Sequence, residues 1–466
     1  MHVVRNIGGK TKTMGKKTED KPKVCKIEEL SAEEQRKLKK KLESDHRYIG
    51  KKDEENEEEY GPLFDAFVNE NGMFYQFNEF VKKHKGELVV AFRGNGDNIT
   101  IYHNNHVVWE LSMTSKEYKV SFNYDHARYY CGREGKDSNA DCLGPLEDLY
   151  KLGFKRSQKE SPYKFKITEK VNESGSISRN AEIGVLHWKK KAGNPYSYGD
   201  IKKSYITIID IMDSYFNIHR AEDRFRKKAE IINETKEACV YRPSYVEKRW
   251  QQRLFNHFKS VDGEKTTDLF AYDLEFSQAF PDTSIRGKIG VNEPDILAIR
   301  FENKVPKKLY FVEVKSTKTA CTSDTSGALE HMEGMRRYCD ELWFMEKRME
   351  DVWEILKQYK KTGIYHQLAD IDIDQHIGCL DPKKDVERVL LFTNNELPQS
   401  EMTEEERQKG SALDYYNNEI YKKRVNDGAK DNSCRIWITK SNYFDEEIII
   451  SDVTPVSDDS LDKSGH

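Results

Sequence analysis

Three apolar stretches between positions 268 and 316 read as strands: Asp268–Gln278, Asp295–Phe301 and Lys308–Ser316. A segment with apolar residues at helical spacing, Tyr245–Ser260, precedes them, and a second helical segment, Gly327–Phe344, and a strand, Asp385–Thr393, follow. Leu309–Val314 is apolar on both faces, the pattern of a central strand covered from both sides. Side chains alternate along a strand, so Glu313 and Lys315 share one face while Val314 points into the core. The interval Phe301 to Lys308 leaves room for one hairpin turn, and pairing its two arms sets Asp295 beside Glu313.

Upstream, the pattern predicts a helix over Phe74–Lys83 and strands over Glu87–Phe92, Asn98–Tyr102, His106–Leu111 and Tyr118–Asn123. Gly94-Asn95-Gly96-Asp97 and Asn104-Asn105 supply residues that tolerate positive φ between them, so the strands read as an antiparallel meander. Its Arg93, Tyr102, His103, His106, Trp109, Tyr124, His126 and Tyr129 fit a sheet with one wet face better than a substrate-recognition surface. Ser31 followed by Glu34 resembles a capping box ahead of a short helix through Leu42, and 53–59 is an acidic run of linker type. From about 151 to 228 the chain is locally basic, with Lys189-Lys190-Lys191 and Lys202-Lys203 interleaved with Trp188, Tyr196 and Tyr198. That mix suits phosphate contact and base stacking as well as a solvated face, and Ile206–Glu237 reads as a long helix. The C-terminal end offers a helix at Ser411–Arg424, strands at Cys434–Lys440 and Glu446–Val453, and a polar tail. The resulting division is a charged segment 1–59, an α+β accessory or recognition domain 60–235, a second α/β domain 236–455 and a tail 456–466.

Composition narrows the setting. A chain of 466 residues is long enough for several buried cores, and its net charge of −4 gives no global argument for a polyanionic partner. No stretch has the apolar length of a membrane span, and the first residues lack the apolar core of a signal peptide. The eight cysteines are scattered without a C-x-x-C pair, which fits reduced thiols and a cytoplasmic location better than disulfides or structural zinc. No Gly-rich loop with Lys and Ser/Thr of the Walker type is present, which argues against an ATP-driven motor.

The candidate chemistry lies on the two central runs. Two neighbouring carboxylates repel unless a cation separates them, and a divalent metal with oxygen ligands is the usual solution. A nearby ammonium then supports metal-assisted hydrolysis of a phosphodiester. The competing reading is a same-face ion pair, Glu313 with Lys315, on a half-solvated strand. Asp370, Asp372 and Asp374 alternate but lack the glycine and glutamate of a calcium loop.

Pro294-Asp295 followed by Glu313-x-Lys315 resembles the signature of the PD-(D/E)xK nuclease superfamily, over the C-terminal half of the chain. The resemblance implies a restriction-endonuclease-like mixed sheet flanked by helices, in the order helix, three-strand meander, helix, strand. It implies Mg²⁺, with Mn²⁺ as a substitute, held by Asp295, Glu313 and the carbonyl of Val314, and Lys315 stabilising the attacking hydroxide or the charge at phosphorus. Glu247 on the first helix matches the glutamate that reaches the metal in many members, with Glu293 its rival. The implied activity is a metal-dependent deoxyribonuclease, an endonuclease ahead of an exonuclease, in restriction or phage defence, acting as a homodimer or with an activating subunit. The alternative is a non-catalytic binder of nucleic acid or of a protein partner that keeps the fold. Where the recombination-nuclease branch carries Gln-x-x-x-Tyr, this chain has Gly334 to Tyr338 without the glutamine; His331, Arg336 and Arg337 on that helix are able to face phosphate but read better as surface residues than as catalytic ones.

Overall fold

The computed structural model describes residues 25–44, 47–50, 60–94, 97–103, 105–113, 117–123, 155–156, 169–171, 177–179, 183–189, 246–258, 269–274, 285, 288–289, 294–323, 327–402, 404–443, 445 and 447–455. The basic region's helix Ile206–Glu237, with Glu293, Tyr124, His126 and Tyr129, lies outside them.

The architecture is mixed α/β. In the C-terminal half, helix α4 (Val246–Phe258) leads into β9 (Leu269–Leu274), β10 (Ile296–Glu302) and β11 (Val305–Lys315). Helices α5 (Lys318–Thr322), α6 (Ala328–Asp340) and α7 (Leu342–Thr362) then cross over to β12 (Val386–Phe392). Three further helices, α8 (Glu404–Lys409), α9 (Ala412–Tyr416) and α10 (Glu419–Asp431), precede β13 (Cys434–Thr439) and β14 (Ile450–Asp452). The six strands form one sheet in the order β14-β13-β12-β11-β10-β9. Strands β9 to β11 pair antiparallel, β11 to β13 pair parallel, and β14 returns antiparallel.

Strand β11 sits in the middle of this sheet because it can bury both faces. Tyr310, Val312 and Val314 meet Trp250, Leu254 and Phe255 of α4, whose apolar residues recur at helical spacing. Leu309 and Phe311 on the other face join Met332, Met335 and Tyr338 of α6. The polar pair Glu313 and Lys315 therefore lies on a face that is covered by helix, not half-solvated as the ion-pair reading requires: the residues are 2% and 3% exposed.

The β10–β11 turn is tighter than its sequence suggests. Glu302 pairs with Val305, so Asn303 and Lys304 alone make the turn, with φ of 51° and 66°. Two positive φ values are the geometry that favours Asn-Gly, and a lysine pays a steric cost at the second position. Lys304→Gly is expected to raise stability by about 0.5–1 kcal/mol in urea unfolding; the exposed Lys304–Asp370 ion pair it removes does not offset this. A loss of stability would show that the ion pair outweighs the turn.

Two predicted helices are broken. The span Gly327–Phe344 divides at Glu341, which adopts an extended conformation, and the second part continues to Thr362. Ser411–Arg424 divides at Asn417-Asn418, where the Asn418 side chain accepts from Tyr421 N–H and starts α10. Asparagine favours such caps over helix interiors.

The N-terminal half begins with helix α1 (Ala32–Ser44), whose Ser31 and Glu34 exchange the capping-box hydrogen bonds. Helices α2 (Pro62–Val68) and α3 (Tyr75–Lys83) follow, then strands β1 (Leu88–Arg93), β2 (Asn98–His103), β3 (His106–Met113) and β4 (Glu117–Asn123). These four make the expected meander, extended by β8 (Ile183–Lys189) and β5 (Lys155–Arg156). A separate hairpin joins β6 (Glu169–Val171) and β7 (Ile177–Arg179).

The wet face expected for this meander is not found at β1 and β2. Leu88, Val90 and Phe92 face one core, while Val89, Ala91 and Tyr102 face the core that holds α4. Arg93 is turned inward on Asp273 of β9, which also takes Arg47. The Tyr359 hydroxyl of α7 donates to the Val90 carbonyl at 2.7 Å. At β1 and β2 the sheet is thus packed against the C-terminal half through an apolar core continuous with it, so neither face of those two strands is left to water, while Glu110 and Ser112 of β3 stay partly exposed.

Candidate functional site

The site lies where β11 ends. Register pairs Ile296 with Val312 as the last rung between β10 and β11, and Pro294-Asp295 lie just beyond the start of β10. Proline has no N–H to give to a further rung, and the ladder stops short of Val314. The Val314 N–H donates instead to Asp295 Oδ2 at 2.7 Å, which turns the aspartate across the strand end. Proline followed by aspartate thus ends the ladder and presents a carboxylate in the same step.

Lys315 and Glu313 share a face as the strand period requires, and Lys315 Nζ donates to Glu313 Oε1 at 2.8 Å. Glu247, in the first turn of α4, accepts from the Ser316 N–H at 3.4 Å, a long bond that places the helix N-terminus over the end of β11. Asp295, Glu313, Lys315 and Glu247 are therefore brought together. Glu247 is not an exposed acid paired with its helix neighbours: Arg249 pairs with Glu396, and Gln251 accepts from the Asn105 side chain at 2.6 Å.

Helix α4 is held from two directions. Gln252 accepts the Asn105 N–H at 2.7 Å and donates to the Glu87 carbonyl, both in the N-terminal half. Arg253 donates to the Asp445 carbonyl in the C-terminal half. The position of Glu247 thus depends on the N-terminal sheet.

The electrostatics follow from three carboxylates around one buried ammonium. Burial first, then the charges of Glu313 and Glu247, pushes Asp295 well above the usual aspartate range. Burial and Glu313 likewise raise Glu247, against the pull of Lys315. Burial would raise Glu313 too, but Lys315 and His331 outweigh it and leave that carboxyl lowered. Lys315 is raised: burial opposes its charge, and Glu313, Glu247 and Asp295 together overcome burial.

His331 is the participant that sequence reasoning placed on the surface. Its Nδ1 lies 2.6 Å from Glu313 Oε1, and its side chain is largely buried. A helix start at Gly327 would have put His331 one turn in, but nothing in the sequence says which face of α6 meets β11. Arg336 and Arg337, by contrast, pair with Glu333 on their own helix, away from the cluster.

Among the described residues, no group of three or more His, Cys, Asp and Glu side chains stands arranged to hold a metal ion. The donors that suit a hard divalent cation are two carboxylates, Asp295 and Glu313, with the main-chain carbonyl of Val314. Glu313 Oε2 is buried with no hydrogen-bond partner, an oxygen that favours a cation in its vicinity. Asp370 and Asp374 are engaged by Lys304 and Lys357, so that stretch forms no second cluster with this one.

Among the described residues, no helix is long and apolar enough to cross a membrane, and Cys25, Cys321, Cys339, Cys379 and Cys434 are free thiols. Comparison of the chain with protein-family models, with curated proteins and with solved structures gives no match.

Proposed function

We propose that this chain is a divalent-metal-dependent nuclease of the PD-(D/E)xK type, with a restriction-endonuclease-like core running from α4 to β12. The observation that carries the proposal is the convergence of Asp295, Glu313 and Lys315 at the end of the central strand, with an unpartnered buried oxygen on Glu313. The order α4, β9-β10-β11, α6 and α7, β12 supports it, since that is the order the resemblance implies.

On this reading Asp295, Glu313 and the Val314 carbonyl hold Mg²⁺ or Mn²⁺, which supplies Lewis-acid stabilisation of phosphoryl charge and acidifies bound water. Lys315, held charged by its carboxylate neighbours, stabilises negative charge developing at phosphorus. Glu247 supports the site by fixing the main chain at Ser316. DNA is the proposed substrate and internal cutting the proposed mode, in a cytoplasmic restriction or defence setting.

A specific observation favours a second reading, a binding protein that retains this core without cutting. Glu313 is already engaged by Lys315 and His331, and Asp295 by a backbone N–H, so the cluster is satisfied in part without a metal. Cleavage of supercoiled plasmid, linear duplex and single-stranded DNA with Mg²⁺ or Mn²⁺ separates the two, with Glu313→Gln alongside. The nuclease reading expects metal-dependent cutting that the variant loses. Cutting retained by Glu313→Gln removes Glu313 from the mechanism, and no cutting of any substrate by a protein that still binds DNA favours the second reading.

A further inference from the structure

We infer that His331 is a positioning residue for Glu313, fixing which of its oxygens is presented to a metal; the inference rests on the nuclease reading above. A glutamate has several rotatable bonds, so one hydrogen bond leaves its carboxylate free to turn. Here Lys315 on β11 donates to Oε1 at 2.8 Å, and His331 on α6 brings its Nδ1 to within 2.6 Å of the same oxygen, a close polar contact that lies off the line of a hydrogen bond. The other oxygen, Oε2, is buried and takes no hydrogen bond. Pinning one oxygen from two directions sets the carboxylate plane and directs the second oxygen to a ligand.

The helix that carries His331 is itself firmly placed. Ala328, Met332, Met335 and Tyr338 anchor its buried face. Its start at Gly327 approaches the preceding turn so closely that a Cβ would lie 2.4 Å from the Ser323 carbonyl oxygen. His331 therefore reaches Glu313 from a rigid element. The contact between Nδ1 and Oε1 attracts when Nδ1 carries a hydrogen, which is the form the proposal requires.

The geometry makes a sharp distinction between substitutions. Asparagine places an amide N–H near the position of Nδ1, whereas glutamine places its amide near Nε2, and alanine supplies neither. Isothermal titration with Mn²⁺ and no nucleic acid reads the effect directly, with cleavage and metal-free melting measured alongside. His331→Ala is expected to bind Mn²⁺ about ten-fold or more weakly than the unaltered protein. His331→Asn is expected to recover most of that loss, and His331→Gln to recover little.

Equal Mn²⁺ affinity in His331→Ala and the unaltered protein would overturn the role of His331 while leaving the metal site standing. So would recovery by glutamine but not by asparagine. If the alanine variant does not fold, the comparison of asparagine with glutamine decides alone. If the unaltered protein itself shows no saturable Mn²⁺ binding, the metal reading fails and the role of His331 with it; Asp295→Asn, expected to lack binding, marks that baseline.

Discussion

Asp295→Asn is expected to abolish metal-dependent cleavage, by roughly 10³-fold or more, while raising the melting temperature of the metal-free protein by on the order of 2–4 °C. Both effects have one cause. Burial and the neighbouring charges of Glu313 and Glu247 make an ionised carboxylate at 295 unfavourable unless a cation joins the cluster. Asparagine keeps a side-chain oxygen to accept the Val314 N–H and removes the charge. The sign follows from the raised pKa. The folded state holds this proton more firmly than the unfolded chain, so stability falls as pH rises from the ordinary aspartate value toward the raised one. The variant lacks that slope. Melting in EDTA between pH 4 and 8, with plasmid cleavage in Mn²⁺, tests both halves. Unchanged cleavage removes Asp295 from the mechanism, and a lower melting temperature in the variant means that its carboxylate is ionised and well paired without metal.

Asp273→Ala is expected to cost about 3–5 kcal/mol of stability, because it strands two guanidinium groups in the interior. Arg47 Nε and Arg93 Nη1 each lie 2.8 Å from an oxygen of Asp273, which is almost fully buried on β9. Arg93 also donates to the Leu274 carbonyl, so one carboxylate ties the segment before α2, the N-terminal sheet and the C-terminal sheet together. Burial alone would raise this carboxyl, but the two arginines overcome it and lower it to about 2. A depressed pKa contributes stability that is present above the unfolded value of about 4 and is lost as pH falls toward 2. That contribution is on the order of 2–3 kcal/mol at neutral pH. Denaturant unfolding at pH 7 and pH 3 reads both effects, and the variant should lose part of the acid sensitivity. A cost below about 1 kcal/mol would mean that the two arginines find other partners or water when the carboxylate is removed.

The sequence was sufficient where chemistry is local or periodic. The period of two placed Glu313 with Lys315, and the apolar run around them identified β11 as central, because only a strand covered on both faces can hide so many side chains. Proline before Asp295 marked the beginning of a strand, and the short interval to Lys308 implied a hairpin. The helical spacing of Val246, Trp250, Leu254 and Phe258 placed α4, and with it Glu247.

Where contacts join distant parts of the chain, the sequence was silent. Nothing near His331 announces that it meets Glu313, because the meeting depends on how α6 is rotated against β11, and a helix with Met332 and Met335 on one side tolerates several rotations. Arg93 looked like a polar residue on a wet strand; its partner is 180 positions away. The same holds for Asn105, whose turn conformation is legible locally but whose grip on Gln251 and Gln252 is not. Local sequence determined the strands, the hairpin and the acidic pair, since dihedral preference and side-chain alternation act between near neighbours. Tertiary packing alone decided which histidine reaches the glutamate and which arginines are buried, since a charge is placed by whichever partner can neutralise it once water is excluded.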